Sequence, residues 1–569
     1  METLPKDQWL LPAILDHRAQ TTPGDPYCML PSGDNLTDGF FELSYAAMAR
    51  AVDRTAWWLD EVLGQQNAHK SSTDAQAVPY IGPDDLRYFL LMIAAIKTGR
   101  VLMIPFPANT VEGLSELLRL TDSTVVLAPN SHKHIWSSPI ETHPAKEIDV
   151  PSLEYFLEAV PTDKYEFNQT LTDSYDDGAI LCQTSGTTGK PKPIKMTNGN
   201  IADYILAPAV ESRQAAEDTD KLAVFAALER RMGPVLTPMS WAATPLIACW
   251  AAFAGDYVPI FLPYTTAPRP PTPEYIIDMT KSLPRSATRE LSIFAVPDLL
   301  RQLVRSETGR ECLRQYAVVE YGGAPLDHET GDIIHNMGVR VQSFIGSTDS
   351  GIYPTRFDEP GDWKVARFED GYQGYEMEQF HDDLYELVIR NQGDDPRFCF
   401  QKDPGLKIFR TRDLWREVPG RKKYWSNAGR VDDFVKLSSL TKFNAIAIEQ
   451  MIEADGNIAK CVVAGDSRSR PFVLVEPAAR GDSEGETLKM VLPALEEANK
   501  HLLSEAHLLK DLMLLTDPDI PIIRTGKGTV SRRATLDVYE KRIEELYIRA
   551  GFEAVPFKAT GEAMTNGHH

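Results

Sequence analysis

Short apolar runs alternate along the chain with stretches whose apolar residues recur every three or four positions. Residues 86–97 (LRYFLLMIAAIK) carry the helical period, and 241–255 reads as a buried core helix. Residues 101–105, 124–128 (TVVLA), 179–182, 222–227, 292–296 and 317–320 read as short buried strands. This βα alternation predicts an α/β protein with largely parallel, buried sheets. The segment 404–430 is rich in charge and turn residues. Beyond it a smaller α+β pattern follows, with strands at 458–464 and 472–476 and helices at 487–504 and 534–550. The predicted layout is a large N-terminal body of parallel and mixed sheets flanked by helices, residues 1–431. A small mobile C-terminal lid, 432–557, follows it. The tail 558–569 ends in His568-His569 and reads as a tag remnant.

Composition narrows the function. The 569 residues are 43% hydrophobic and 25% charged, with formal net charge −22. That charge disfavours nucleic acid and anionic membranes as partners, because both reward positive charge. The six cysteines are far apart, with no CxxC pair, which argues against a disulfide framework or a structural zinc site. The N-terminus lacks an apolar signal core, and Pro234, Pro238 and Pro245 break the uncharged stretch 232–255. The expected address is the cytoplasm.

Chemistry concentrates first in Thr184-Ser185-Gly186-Thr187-Thr188-Gly189-Lys190-Pro191-Lys192, directly after a predicted strand. Small hydroxyls and glycines let a backbone approach a phosphate and donate N–H groups to it. Lys190 and Lys192 supply countercharge. The spacing is not that of a Walker P-loop, since two residues separate the glycines and Pro191 stands where a magnesium-binding Ser or Thr would be. A Gly/Thr-rich surface turn is the competing reading of this segment alone. Further segments follow in order: Tyr321-Gly322-Gly323-Ala324-Pro325-Leu326, Phe344-Ile345-Gly346-Ser347-Thr348-Asp349, Thr411-Arg412-Asp413, Gly429-Arg430-Val431-Asp432-Asp433, and Thr525-Gly526-Lys527-Gly528-Thr529.

Together these resemble the motifs of the adenylate-forming superfamily of acyl- and aryl-CoA ligases, luciferases and adenylation domains. The runs around Lys190 and Lys527 most resemble the adenylation domains of fungal carboxylic acid reductases. The resemblance implies that a carboxylic acid attacks ATP to give an acyl-adenylate and pyrophosphate. It implies Lys527 and Thr348 as catalytic residues at the α-phosphate and Asp349 as the Mg²⁺ ligand. It implies ATP contacts from Thr184 to Lys190, Gly323, Ala324, Ile345, Gly346, Ser347, Asp413 and Arg430, with Asp432 as the hinge of the lid. The acceptor is then the phosphopantetheine thiol of a carrier domain, with a reductase domain downstream, or coenzyme A. Three departures stand out: Ile345 for an adenine-stacking Tyr, Asp349 for Glu, and Arg412 for Gly.

Aligned on these motifs, Trp241, Ala242, Phe294, Val319, Tyr321, Phe344 and Tyr353 are expected to line the acyl pocket. Ala242 stands where amino-acid-activating domains keep an Asp, which disfavours an α-amino acid. The aromatics suit an aryl acid by stacking or a small quaternary-ammonium acid such as glycine betaine by cation–π attraction. The alternatives are a free-standing acyl- or aryl-CoA ligase and a catalytically degenerate nucleotide-binding module.

Overall fold

The computed structural model describes residues 4–65, 75–184, 191–215, 221–264, 267, 271–356, 363–439, 441–524 and 530–553. The chain forms two compact units. The first is Met1–Glu376 with Val388–Phe409 and Glu417–Ser426; the second is Met377–Leu387 with Arg410–Arg416 and Asn427–His569.

A seven-stranded sheet dominates the first unit. In spatial order its strands are Arg340–Phe344, Val318–Gly322, Glu290–Ala295, Arg231–Pro234, Val258–Ile260, Pro26–Pro31 and Phe40–Ser44. All pairings are parallel except the last, so the sheet is mixed. A second sheet runs Ala77–Pro79, Val101–Met103, Gly178–Thr184 and Lys192–Thr197, with only the final pairing antiparallel. The helices Tyr45–Leu63 and Arg87–Lys97 and the helical stretch 243–255 fill one core layer, together with Phe294. Pro273–Ser282, Pro297–Val304, Glu307–Leu313 and His328–Asn336 cover the opposite face.

The expected helix at 86–97 and the strands at 101, 125, 179, 292 and 318 are present within one or two residues. The stretch 222–227 is not a strand. It is the helix Ala223–Leu228, buried along most of its length. A short, mostly buried apolar run gives no period to read, and its Ala content (AVFAAL) favours helix. The strand lies just after it, at Arg231–Pro234. The core helix expected at 241–255 is present from Ala243, with a π-helical turn over Leu246–Trp250.

In the second unit, Ile458–Ala464 pairs antiparallel with Phe472–Pro477, which pairs in parallel with Met513–Leu515. Alternate residues of this sheet face two cores. Cys461, Val463, Val473 and Val475 meet the helices Ala445–Glu453 and Glu484–Asn499. Val462, Phe472 and Leu474 meet Tyr539, Ile543 and Tyr547 of the helix Arg532–Arg549. The helix expected over 487–504 starts earlier, because the Ser483 hydroxyl accepts the Glu486 amide as its N-cap, and it stops at Asn499. All six cysteines are buried, and none is joined in a disulfide. Among the described residues no helix is long and apolar enough to cross a membrane.

Candidate functional site

Three neighbouring parallel strands, Glu290–Ala295, Val318–Gly322 and Arg340–Phe344, end side by side. The carboxyl ends of strands in such sheets are where ligands gather. Register places Phe294 beside Glu320, and Gly322 beside Phe344. Because side chains alternate, Phe294, Glu320, Gln342 and Phe344 share one face. The rings of Phe294 and Phe344 meet edge-on, 5.4 Å apart at 83°. They close over Gly322, where a Cβ would lie 2.7 Å from the Phe344 carbonyl oxygen and 3.0 Å from the Phe294 ring, so no side chain fits.

Val319 and Tyr321 project from the other face. Val319 is wholly buried in the second core layer, and Tyr321 packs edge-on against Trp363 at 6.3 Å. They therefore do not share a lining with Phe294 and Phe344. The residue that does is Glu320, 1% exposed, which the sequence reading passed over. Gln342 Nε2 donates to Glu320 Oε1 at 3.3 Å and to the Ala223 carbonyl at 2.6 Å. Burial pushes the Glu320 carboxyl up to about 8, against the opposing pull of Arg231 and Arg340. Counting strand parity from Phe294 and Gly322 would have found it. Trp241 and Ala242 are half-buried in the turn that opens the helical stretch 243–255. That turn is tied by the Trp241 amide donating to the Pro238 carbonyl and the Thr244 hydroxyl donating to the same oxygen.

The chain leaves Phe344 through Ile345 into a small hairpin, in which Gly346–Ser347 pairs antiparallel with Gly351–Ile352. Thr348, Asp349 and Ser350 form its three-residue tip. Gly351 adopts φ +82, the left-handed geometry such a turn requires. A Cβ on Gly346 would lie 2.5 Å from the Gly351 carbonyl oxygen. The Ser347 hydroxyl accepts the Ser350 amide at 3.1 Å and lies 2.7 Å from the Ser350 hydroxyl. Thr348 and Asp349 are half-buried. The Ile345 carbonyl accepts the Tyr353 amide at 2.9 Å, and Tyr353 is buried against Tyr375. Gly323, just past its strand, sits at φ +83, and Ala324 is half-buried.

Thr184 ends its strand paired with Lys192. Ser185, Gly186, Thr187, Thr188, Gly189 and Lys190, which separate them, lie outside the described residues, as does Lys527. The stems of the Lys527 segment pair through an Arg524–Val530 bridge. Asp413, on the strand Ile408–Glu417, and Arg430, at the end of Tyr424–Arg430, meet as an ion pair: Arg430 Nη1 to Asp413 Oδ1 is 2.7 Å. Asp432 lies in the 3₁₀ turn Val431–Asp433. Gly429 before it has φ +93, with Asn444 Nδ2 2.6 Å from where a Cβ would be.

Asp349 and Thr348 offer hard oxygen donors at an accessible tip. Among the described residues no cluster of three His, Cys, Asp or Glu could hold a metal by protein ligands alone. One carboxylate completed by phosphate oxygens and water is how Mg²⁺ is commonly held, so the donor set fits that ion.

A mixed α/β body whose ligand-facing strand ends carry a hydroxyl-rich hairpin, followed by a small α+β unit, is the adenylate-forming fold. The structure superposes on ATP-bound MatB from Rhodopseudomonas palustris with TM-score 0.69 at 18% identity, covering 94% of this chain and all of that one. It superposes on a benzoate CoA ligase from Burkholderia xenovorans with TM-score 0.66 at 14% identity, covering 92% and 99%. The sequence matches the AMP-binding enzyme family over residues 15–368, more than half of the chain, and the AMP-binding enzyme C-terminal domain over 432–551. The chain belongs to the AMP-binding enzyme family. It is 26% identical over 563 residues to the carboxylic acid reductase of Neurospora crassa, covering 95% of this chain and 51% of that protein. It is 27% identical over 561 residues to adenylate-forming reductase Nps9 of Serpula lacrymans, covering 92% and 48%. The chain thus spans about half the length of these reductases.

Proposed function

We propose that the chain activates a carboxylic acid with ATP, as the adenylation part of a carboxylic acid reductase-like synthetase. The observation that carries this reading is the Phe294–Phe344 aromatic pair running directly into the Thr348–Asp349 hairpin tip. An apolar acyl site and phosphate- and metal-binding oxygens are thereby joined through a few residues of chain. A carboxylate oxygen of the substrate forms a bond to the α-phosphorus, and the bond from that phosphorus to the bridging oxygen of pyrophosphate breaks. The products are the acyl-adenylate and pyrophosphate. Positioning and charge neutralisation supply most of the catalysis in such a displacement.

In this reading Thr348 hydrogen-bonds the α-phosphate and Asp349 holds Mg²⁺, which supplies charge neutralisation at the phosphates. Asp413 accepts the ribose hydroxyls, Arg430 steadies that carboxylate, and the 184–190 segment cradles the polyphosphate. Lys527 brings its ammonium to the carboxylate and α-phosphate, carried by a lid (432–557) that turns about Asp432. Phe294, Phe344 and Trp241 receive an aryl acid or a small quaternary-ammonium acid, with Ala242 leaving no partner for an α-ammonium. The thiol of a carrier-domain phosphopantetheine then forms a bond to the acyl carbon as AMP leaves, and the resulting thioester is the substrate of a further, reductase domain, in keeping with the relatives' greater length.

The test is carboxylate-dependent exchange of pyrophosphate into ATP over aryl, fatty, keto and betaine acids. Exchange with one class, lost by at least about 100-fold in Lys527→Ala, is expected. Formation of an acyl-CoA by the chain alone would favour the free-standing ligase instead. ATP binding with no pyrophosphate release for any acid would favour a degenerate nucleotide-binding module.

A further inference from the structure

We propose that Tyr375 and the buried Asp395–Arg397 pair are positioning residues that set the carboxylate of Asp349 for magnesium. This rests on the reading of Asp349 given above. The hairpin bearing Asp349 has only two paired residues on each side, and a ribbon so short is marginal by itself. Its tip is held from outside. The Tyr375 hydroxyl lies 3.2 Å from both the Ser350 and Ile352 carbonyl oxygens, so its one proton is shared between the two. The Cys399 amide donates to the carbonyl of Asp349 itself at 3.0 Å.

Both supports converge on Arg397. Its guanidinium lies 5.3 Å from the Tyr375 ring centre, and Cys399 follows two residues later at the start of the turn Phe398–Gln401. Asp395 and Arg397 side chains are each 1% exposed. Arg397 Nε donates to both Asp395 oxygens at 3.0 and 3.1 Å, and Nη2 donates to Asp395 Oδ2 at 2.5 Å and to the Gln373 carbonyl at 2.9 Å. The guanidinium carbon lies over the ring of Tyr204, 4.4 Å from its centre, and Tyr204 sits in the π-helical turn Ala202–Leu206. Among the described residues Arg397 Nη1 has no hydrogen-bond partner.

A buried ion pair with an unsatisfied N–H is a poor source of stability; packed apolar side chains would serve as well or better. What it provides is a rigid cation that fixes Tyr375 and the 397–399 backbone at set positions under the hairpin. Lysine would keep the charge but lose the planar fork. Outer-shell partners of this kind orient the group that binds the metal.

The experiment measures ATP affinity by calorimetry, without carboxylic acid and hence without turnover, in the absence and presence of Mg²⁺. It compares the wild type with Tyr375→Phe, Arg397→Lys and Asp349→Asn. Thermal melting reports whether each variant is folded; Tyr375→Phe removes one oxygen and keeps the ring packed. In both Tyr375→Phe and Arg397→Lys the Mg²⁺-dependent gain in ATP affinity is expected to fall about tenfold, with magnesium-free affinity unchanged. A wild-type gain in both, alongside a lost gain in Asp349→Asn, overturns the positioning role and leaves the metal reading standing. An undiminished gain in Asp349→Asn overturns both. An equal loss of affinity with and without Mg²⁺ shows a general packing role and overturns the proposal.

Discussion

Arg430 Nη1 rests 2.7 Å from Asp413 Oδ1, so the acid of one strand is held by the last residue of its neighbour before the 3₁₀ turn that carries Asp432. The Asp413 amide donates to the Thr411 hydroxyl at 3.1 Å, which donates to the Leu387 carbonyl at 2.7 Å, so the backbone beneath the carboxylate is fixed. A carboxylate has about four acceptor sites, enough for a guanidinium and two ribose hydroxyls at once. Asp413→Asn is expected to raise the KM for ATP by about 10- to 100-fold, the scale of one charge-assisted hydrogen bond. The KM for the carboxylic acid should not move. Pyrophosphate exchange at varied ATP and varied acid reads both; an equal rise in the two constants would remove Asp413 from the ribose.

Arg412 stands at φ +65, in the left-handed region that costs a side-chain-bearing residue about 1–2 kcal/mol. Its amide still donates to Glu386 Oε1 at 3.1 Å, a bond that needs no side chain. Glycine removes the strain at some cost in unfolded-chain entropy. Arg412→Gly is therefore expected to stabilise the second unit by about 0.5–1 kcal/mol, and Arg412→Ala to give no such gain. Urea denaturation of both variants checks this, and equal midpoints for Gly and Ala would sink it.

Much of this architecture could be read before folding, and the exceptions have physical causes. The buried strands at 101, 125, 179, 292 and 318 announce themselves because each is a short apolar run bounded by turn residues. The run at 222–227 looks the same and is a helix, since burial along most of its length erases the period that separates the two. Strand parity divides the expected pocket residues between two faces of the sheet. Val319 and Tyr321 carry large apolar side chains, but in a strand a shift of one residue changes the face, and Glu320 is the one beside Phe294. The Arg397 hub was invisible because its partners, Tyr204, Tyr375 and Asp395, are separated by up to 193 residues and share no local pattern. Arg412, by contrast, stands in the sequence where the motif resemblance implies a glycine, and its positive φ supplies the reason a glycine is usual there.

In the second unit, Arg532 grips Glu449 with Nη2 2.8 Å from both carboxylate oxygens, while its Nη1 donates to the Val463 carbonyl at 2.7 Å. Burial raises the Glu449 carboxyl to about 7, and Arg532 is the chief group opposing that rise. Arg532→Ala leaves a buried acid with its main partner gone. The expected loss is about 3–5 kcal/mol in this unit. It should appear as faster amide hydrogen exchange in the helix Arg532–Arg549 and in Ile458–Ala464. A combined Glu449→Gln, Arg532→Met variant should recover most of the loss, since both charges leave together. Unchanged exchange in Arg532→Ala would mean the pair contributes nothing to holding that helix.

Glu320 provides a pH test of the same principle on the sheet face it shares with Phe294. Its folded carboxyl titrates at about 8, against an ordinary glutamate value of 4.5, with desolvation as the main cause. Below 4.5 it is protonated in both folded and unfolded chains, and its full contribution to stability is present. Between 4.5 and 8 the unfolded chain releases the proton and the folded chain keeps it. Stability is then expected to fall as pH rises, by at most about 1.4 kcal/mol per pH unit from this group. Above 8 the folded form ionises too, the contribution is gone, and the curve flattens. Glu320→Gln keeps an acceptor for the Gln342 amide and cannot ionise. Its stability advantage over the wild type should grow steadily between pH 5 and pH 8 in denaturant titrations of the first unit. Parallel curves across that range would mean that Glu320 is already ionised in the folded protein, held so by Arg231 and Arg340.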